Sequence, residues 1–181
     1  MKNILKPSAF QLIFTILILS LSLQGCKTAD EFFGIAVLNT NTIADFGTPA
    51  LAKSINDQTV EFADIPSSKK KGNEAQEFVN YKILYMDKSI KDIKDLSASG
   101  DDRKDIKAKS IALYEFVIPI YKNEYMAYAK LCDNKGSQAQ KEQMIQAIEQ
   151  QYNAEFERKY GALLESGKKF AADNDLNVNW D

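Results

Sequence analysis

Residues 102–132 read DRKDIKAKSIALYEFVIPIYKNEYMAYAKLC, and this stretch predicts the fold of the whole chain. Its apolar residues recur three and four positions apart, in two neighbouring rows. The first row is Ile106, Leu113, Val117, Ile120, Ala127 and Leu131, and the second is Ile111, Tyr114, Ile118, Tyr121, Tyr125, Tyr128 and Cys132. An apolar face this wide needs neighbours on two sides, which is typical of the central helix of a helical bundle. Pro119 predicts a bend near the middle of this helix.

Three further stretches predict helices around the central one. The clearest is 74–97, where Val79, Ile83, Met86, Ile90 and Ile93 follow a heptad pattern. A capping box of Ser137 and Gln140 predicts the start of another helix, which continues to about residue 172. The first helix is predicted over 30–57, with a kink near Phe46 caused by Pro49.

The sequence therefore predicts an all-α protein, an up-down four-helix bundle with long helices over residues 35–181. Glycine and proline are scarce, at 8 and 4 residues, and this composition favours helices. The last residues alternate apolar and polar, so we expect a short extended C-terminal tail whose Leu176, Val178 and Trp180 cover one end of the bundle.

The connector of residues 58–73 combines two apolar residues with a run of three lysines. Phe62 and Ile65 are expected to pin it to the bundle, whereas the segment 66–72, PSSKKKG, is expected to be exposed. Contact of Lys69, Lys70 and Lys71 with phosphate or an acidic partner is one interpretation, and a simple solvated loop is the other.

The N-terminal segment has the three parts of a secretory signal. Lys2 and Lys6 supply positive charge, and an apolar run follows over 9–23. At about 1.5 Å per residue this run is too short for a membrane core that needs roughly 20 residues. The segment ends in Leu23-Gln24-Gly25-Cys26.

These residues resemble the processing motif of bacterial lipoprotein precursors, in which a leucine, a small residue and a cysteine occupy the positions of Leu23, Gly25 and Cys26. The resemblance implies that residues 1–25 are a signal peptide, cleaved between Gly25 and Cys26. It also implies diacylglycerol on the Cys26 sulfur, acylation of the new amine by a chain such as palmitate, and a lipidated tether over 26–34. Lys27 after the cysteine implies delivery to the outer membrane, facing the periplasm or the cell surface.

Two other interpretations of the leader are an ordinary secretory signal with a chance cysteine and an uncleaved anchor. The remainder of the chain loosely resembles bacterial surface lipoproteins of similar length that fold as helical bundles. That resemblance, based on the leader, the tyrosine-rich third helix and the Glu/Gln-rich fourth, implies location and fold but no active residues.

Composition excludes several kinds of chemistry. The chain has no histidine, so histidine-based triads and most zinc, copper and iron sites are excluded. No cofactor and no metal are predicted. Removing the leader takes away two lysines and lowers the net charge from −2 to −4, which gives no reason to expect nucleic acid as a partner. Cys132 is then the only thiol besides Cys26, and its position near a helix C-terminus disfavours the thiolate.

Two groups of residues are candidates for function. Tyr114, Tyr121, Tyr125 and Tyr128 form a candidate binding face for a partner protein, although the same spacing is expected of tyrosines packed in a core. Glu124 falls on the first apolar row, where it is either a buried carboxylate or a residue turned outward by the bend at Pro119.

The sequence predicts a lipid-anchored, non-catalytic binding or structural module on the outer membrane, held by membrane lipid through Cys26. The alternative is a histidine-free envelope enzyme that uses buried carboxylates around Glu124.

Overall fold

A computed structural model describes residues 27–180, and over this range the protein is helical and contains no strand. The all-α prediction is therefore confirmed. The leader, with Leu23, Gly25 and Cys26, lies outside the described residues. No helix among residues 27–180 combines the length and the hydropathy needed to cross a membrane.

Six α-helices make up most of the described chain: α1 Ala29–Ala36, α2 Pro49–Asp57, α3 Glu74–Asp95, α4 Asp101–Ile120, α5 Met126–Asp133 and α6 Gln138–Asp173. Short 3₁₀ helices cover Leu38–Ile43 and Pro66–Ser68. A π-helical turn, Tyr121–Tyr125, joins α4 to α5 into one continuous helix. This helix lies at the centre, because α4 packs along α3 and α6, and α5 packs against α2, α3 and α6.

The predictions for α3, the central helix and α6 agree with these bounds to within about two residues. Ser137 and Gln140 form the expected capping box at the start of α6. Four of the five residues in the α3 heptad pattern are buried, and Ile90 packs partly buried against the same core.

The predicted tether over 26–34 is wrong for its described part, because Ala29–Ala36 is a helix of the folded body. Thr28 and Glu31 cap this helix reciprocally, and Phe32 and Phe33 are completely buried. Phe32 packs against Phe170 with ring centroids 5.5 Å apart. Two large aromatic side chains excluded from water fix the segment to α6.

The single kinked first helix over 30–57 is also wrong. Pro49 does not interrupt a helix but starts one, at a position where its missing N–H would have no helical partner. Thr48 caps α2 by accepting a hydrogen bond from the Leu51 amide. The turn before it needs Gly47, whose φ of +67° is unfavourable for other residues.

Pro119 changes the central helix in a way that the spacing of the two apolar rows does not predict. Proline cannot donate the amide hydrogen bond of a regular α-helix, and the π turn follows directly after Ile120. A π turn holds one extra residue, which rotates the following segment by about 100° relative to the preceding one.

Both rows have buried residues before the π turn, but only the second row remains buried after it. Ile106, Leu113 and Val117 of the first row are buried before the π turn, but Ala127 is exposed after it. The second row is buried before, within and after the turn, at Tyr114, Ile118, Tyr121, Tyr125, Tyr128 and Cys132. The first row is the one that does not continue in the core along the whole helix.

The two ends of the described body can be placed by hydrogen bonds along the central helix. Arg103, near its start, donates to the Lys27 carbonyl at 2.8 Å. Asp133, at its end, accepts from the amides of Ala75 and Gln76 at 3.0 and 3.1 Å, and so caps α3. The helical path from Arg103 to Asp133 is about 45 Å long.

The C-terminal tail covers the end of the body at which Lys27 lies. Residues 176–180 have no regular secondary structure. Leu176 and Val178 pack against the core, and the Trp180 ring meets Phe33 edge-on at 5.8 Å between centroids. The predicted role of the tail in covering one end is confirmed.

We expect Asp133→Ala to destabilise the protein by about 1–3 kcal/mol, because two amides in the first turn of α3 lose their acceptor in a buried position. The free energy of unfolding in urea measures this loss. Asp101→Ala is the control, since Asp101 is fully exposed at the start of α4. Equal effects of the two substitutions would contradict the capping role of Asp133.

Candidate functional site

The four tyrosines predicted as a binding face are buried. The exposed fractions of Tyr114, Tyr121, Tyr125 and Tyr128 are 0%, 0%, 1% and 4%. A partner protein cannot reach them in this structure, so the candidate binding face on the central helix is wrong and the packing interpretation is correct. The π turn brings Tyr125 and Tyr128 to the same side as the core residues that precede it, whereas Tyr114 is already buried in α4 before the turn.

The tyrosine hydroxyls hold α2 and the segment that precedes it against the central helix. Tyr114 Oη donates to the Asn39 carbonyl at 3.0 Å, and Tyr125 Oη accepts from the Gly47 amide at 2.9 Å. Tyr128 Oη makes a longer contact of 3.4 Å with the Ala52 carbonyl. The Tyr121 hydroxyl is buried and has no hydrogen-bond partner among the described residues.

Burial also disfavours ionisation of these phenols. Desolvation raises the pKa of Tyr114 to about 12. It also raises the pKa of Tyr121, Tyr125 and Tyr128, with the charge of Asp45 adding to the effect at Tyr121 and Tyr125. The row therefore consists of neutral, structural tyrosines at neutral pH.

Two tyrosine-to-phenylalanine substitutions should differ in their effect on stability. Tyr125→Phe leaves the Gly47 amide without its acceptor and should cost about 1–3 kcal/mol. Tyr121→Phe removes a buried hydroxyl that has no partner, so it should leave the free energy of unfolding unchanged or raise it.

Urea denaturation of both variants measures this difference, and each variant serves as the control for the other because the rings are 4.9 Å apart in the same core. A Tyr121→Phe variant as unstable as Tyr125→Phe would contradict the assignment of the Tyr125–Gly47 hydrogen bond.

Glu124 is partly buried within the π turn. Among residues 27–180 it forms no ion pair and no hydrogen bond through its carboxylate. A carboxylate-based active site requires a second ionisable group within hydrogen-bond reach, and this part of the chain does not place one at Glu124.

Cys132 is buried, at 1% exposure. Burial raises the pKa of its thiol. A protonated, enclosed thiol is a poor nucleophile, in agreement with the helix C-terminal position that disfavours the thiolate. In the described part of the chain, no group of three or more Cys, Asp or Glu side chains could hold a metal ion.

An open cleft of about 370 Å³ lies between α2 and the first half of α6. Its apolar surface comes from Pro49, Ala52, Ile145 and the Tyr128 ring. Most charged groups around it already have partners: Lys53 pairs with Asp57, and Lys141 donates to Asn56 at 2.8 Å.

Glu149 differs from those groups, because its Oε1 is shielded from solvent without a partner. The cleft can accept a hydrogen-bond donor at this carboxylate. Sequence periodicity could not reveal it, since it depends on where α2 crosses α6.

Apolar side chains are exposed in the connector between α2 and α3. Phe62 and Ile65 were expected to pin the connector to the bundle, and this expectation is wrong: they are 59% and 50% exposed, and Val60 is 38% exposed. A second exposed apolar group, Tyr81, Leu84 and Tyr85, lies on the outer side of α3. Both groups are visible in the sequence as apolar residues that do not belong to the buried heptad pattern of α3.

The connector is held in this conformation by its own hydrogen bonds. Ser68 Oγ accepts from the Phe62 amide at 2.8 Å and donates to the Ile65 carbonyl at 2.6 Å. Glu61 accepts from the Lys70 amide at 2.9 Å. Glu74 accepts from the Lys71 and Gly72 amides at 2.6 and 3.0 Å. These amides, Lys71 first, lower the pKa of Glu74 to about 2.

No protein-family model, curated protein or solved structure matches this chain. Any functional conclusion therefore depends on the residues of the chain itself.

Proposed function

We propose that the protein is a bacterial lipoprotein, a non-catalytic binding module held in the outer membrane by lipid on Cys26. The leader pattern around Leu23, Gly25 and Cys26 supports this proposal. In the proposal, residues 1–25 are removed and the body is an up-down four-helix bundle of the envelope, facing the periplasm or the cell surface.

The observation that carries the proposal is how closely the folded body follows the cysteine. Only Lys27 and Thr28 separate Cys26 from α1, and Thr28 already caps that helix. Two extended residues span about 7 Å. Lipid on Cys26 would therefore hold the end of the body formed by Lys27, Arg103 and Trp180 close to the bilayer.

This arrangement leaves the opposite end free for a partner. The connector and the α3 N-terminus lie at the Asp133 end of the central helix, about 45 Å along that helix from Arg103. The binding surface in the proposal is therefore the exposed connector, in place of the buried tyrosine row.

Intact mass of the protein extracted from membranes tests the anchor. We expect a chain that begins at residue 26 and carries a diacylglyceryl group and an amide-linked acyl chain. Two acyl chains hold a protein in a bilayer stably, since each buried methylene contributes about 0.8 kcal/mol. Cys26→Ser should abolish both the added mass and the cleavage.

Cys132→Ser is the matched control, because Cys132 is the other cysteine of the chain and is buried. It should keep the full lipid mass. An unmodified mass in the soluble fraction for the unsubstituted protein would contradict the proposed anchor.

A further inference from the structure

The lysines without a partner are concentrated at one end of the body. The side chains of Lys69, Lys70, Lys71, Lys130 and Lys135 make no ion pair, hydrogen bond or aromatic contact among residues 27–180. Every other lysine in that range contacts a carboxylate, a hydrogen-bond acceptor or an aromatic ring. We call the connector 58–73 together with Lys130 and Lys135 the far tip.

Backbone amides at the far tip occupy the carboxylates that lie near its lysines. The carboxylates of Glu61, Glu74 and Asp133 accept from backbone amides, as described above. Lys70, Lys71 and Lys135 line a common depression, yet none of them pairs with these acids. Asp64 is the one carboxylate of the connector that contacts no amide.

Apolar side chains project from the same segment. Val60, Phe62 and Ile65 precede the lysine run by a few residues, and the Ser68 hydrogen bonds keep the connector from folding them inward. Exposed aromatic and aliphatic groups next to unpaired ammonium groups match the boundary between acyl chains and anionic headgroups. An acidic protein would complement the lysines but would leave the exposed Phe62 and Ile65 unexplained.

We propose that the far tip binds anionic phospholipid headgroups of the same bilayer that carries the Cys26 anchor, with Phe62 and Ile65 entering the headgroup region. This inference rests on the proposed function, because the anchor keeps the tip at high effective concentration near the bilayer. A body about 45 Å long can then lie along the membrane, with the lipid at one end and the far tip at the other.

A single tryptophan at the tip tests this contact directly. Trp180 is the only tryptophan of the chain, so a Phe62→Trp substitution in a Trp180→Phe background reports on the connector alone. The lipidated variant is reconstituted in phosphatidylcholine vesicles with or without phosphatidylglycerol, and some acyl chains are brominated to quench fluorescence on contact. We expect strong quenching with phosphatidylglycerol and several-fold weaker quenching without it.

Two triple variants separate the tip lysines from general charge effects. Replacing Lys69, Lys70 and Lys71 by Gln should lower the equilibrium constant for tip insertion about a hundredfold, because each lysine charge contributes a factor of roughly five to that constant. Replacing Lys88, Lys91 and Lys94 by Gln changes the net charge equally, but these lysines pair with Asp92, Asp95 and Glu115, so quenching should persist. Asp64→Asn should increase the quenching of the tip tryptophan.

Several results would overturn the inference. Absent quenching in a protein that floats with the vesicles, or equal quenching in neutral and anionic vesicles, would exclude anionic lipid as the partner. Clustering of vesicles would place the contact on a facing membrane. A change in the fluorescence of the tip tryptophan on addition of soluble polyglutamate, without quenching by lipid, would indicate an acidic polymer as the partner. A protein that does not float with the vesicles would instead contradict the anchor, and with it this inference.

Discussion

The missing amide hydrogen of Pro119 is the constraint on which the rest of the structure depends. The central helix continues past the proline through a π turn, after which Ala127 of the aliphatic row is exposed while the tyrosine row remains buried. Tyr125 then reaches the segment between α1 and α2, which has little regular helix of its own, and Tyr128 reaches α2. Their hydroxyls, with that of Tyr114, hold this part of the chain on the core through contacts to Asn39 and Gly47 of the segment and Ala52 of α2. A proline that would usually break a helix therefore aligns the row that fastens the N-terminal third of the body.

The sequence predicted the elements whose pattern is local and regular. Helices α3 and α6 and the extent of the central helix follow from three- and four-residue spacing and from the capping box at Ser137. The predictions from sequence were wrong where the same residue is compatible with two different local structures. Pro49 was interpreted as a kink because helix formers surround it, but Thr48 supplies a cap and Pro49 begins α2. The exposure of Phe62 and Ile65 depends on the Ser68 hydrogen bonds, which spacing along the chain does not encode.

The candidate site shows the same limit of sequence patterns. Tyrosines at helical spacing are equally typical of a core and of a binding face, and the elements that pack on the central helix decide between them. The lysine run at 69–71 was visible in the sequence, but its distinction is that most other lysines have partners and these three do not. Seeing that contrast requires the positions of the carboxylates, and it moves the proposed binding surface from the middle of the central helix to the connector before α3.

Alkaline titration of the folded protein tests the buried tyrosine row most directly. The pKa values of Tyr114, Tyr121, Tyr125 and Tyr128 are raised by burial, so these groups stabilise the fold fully below about pH 10 and lose that contribution as the pH rises further. The account predicts that Tyr121→Phe leaves the phenolate absorbance of the folded protein at about pH 11 unchanged, and that the four phenols ionise only together with loss of the helical circular dichroism signal. A decrease in that absorbance on Tyr121→Phe substitution, with the helices intact, would contradict it.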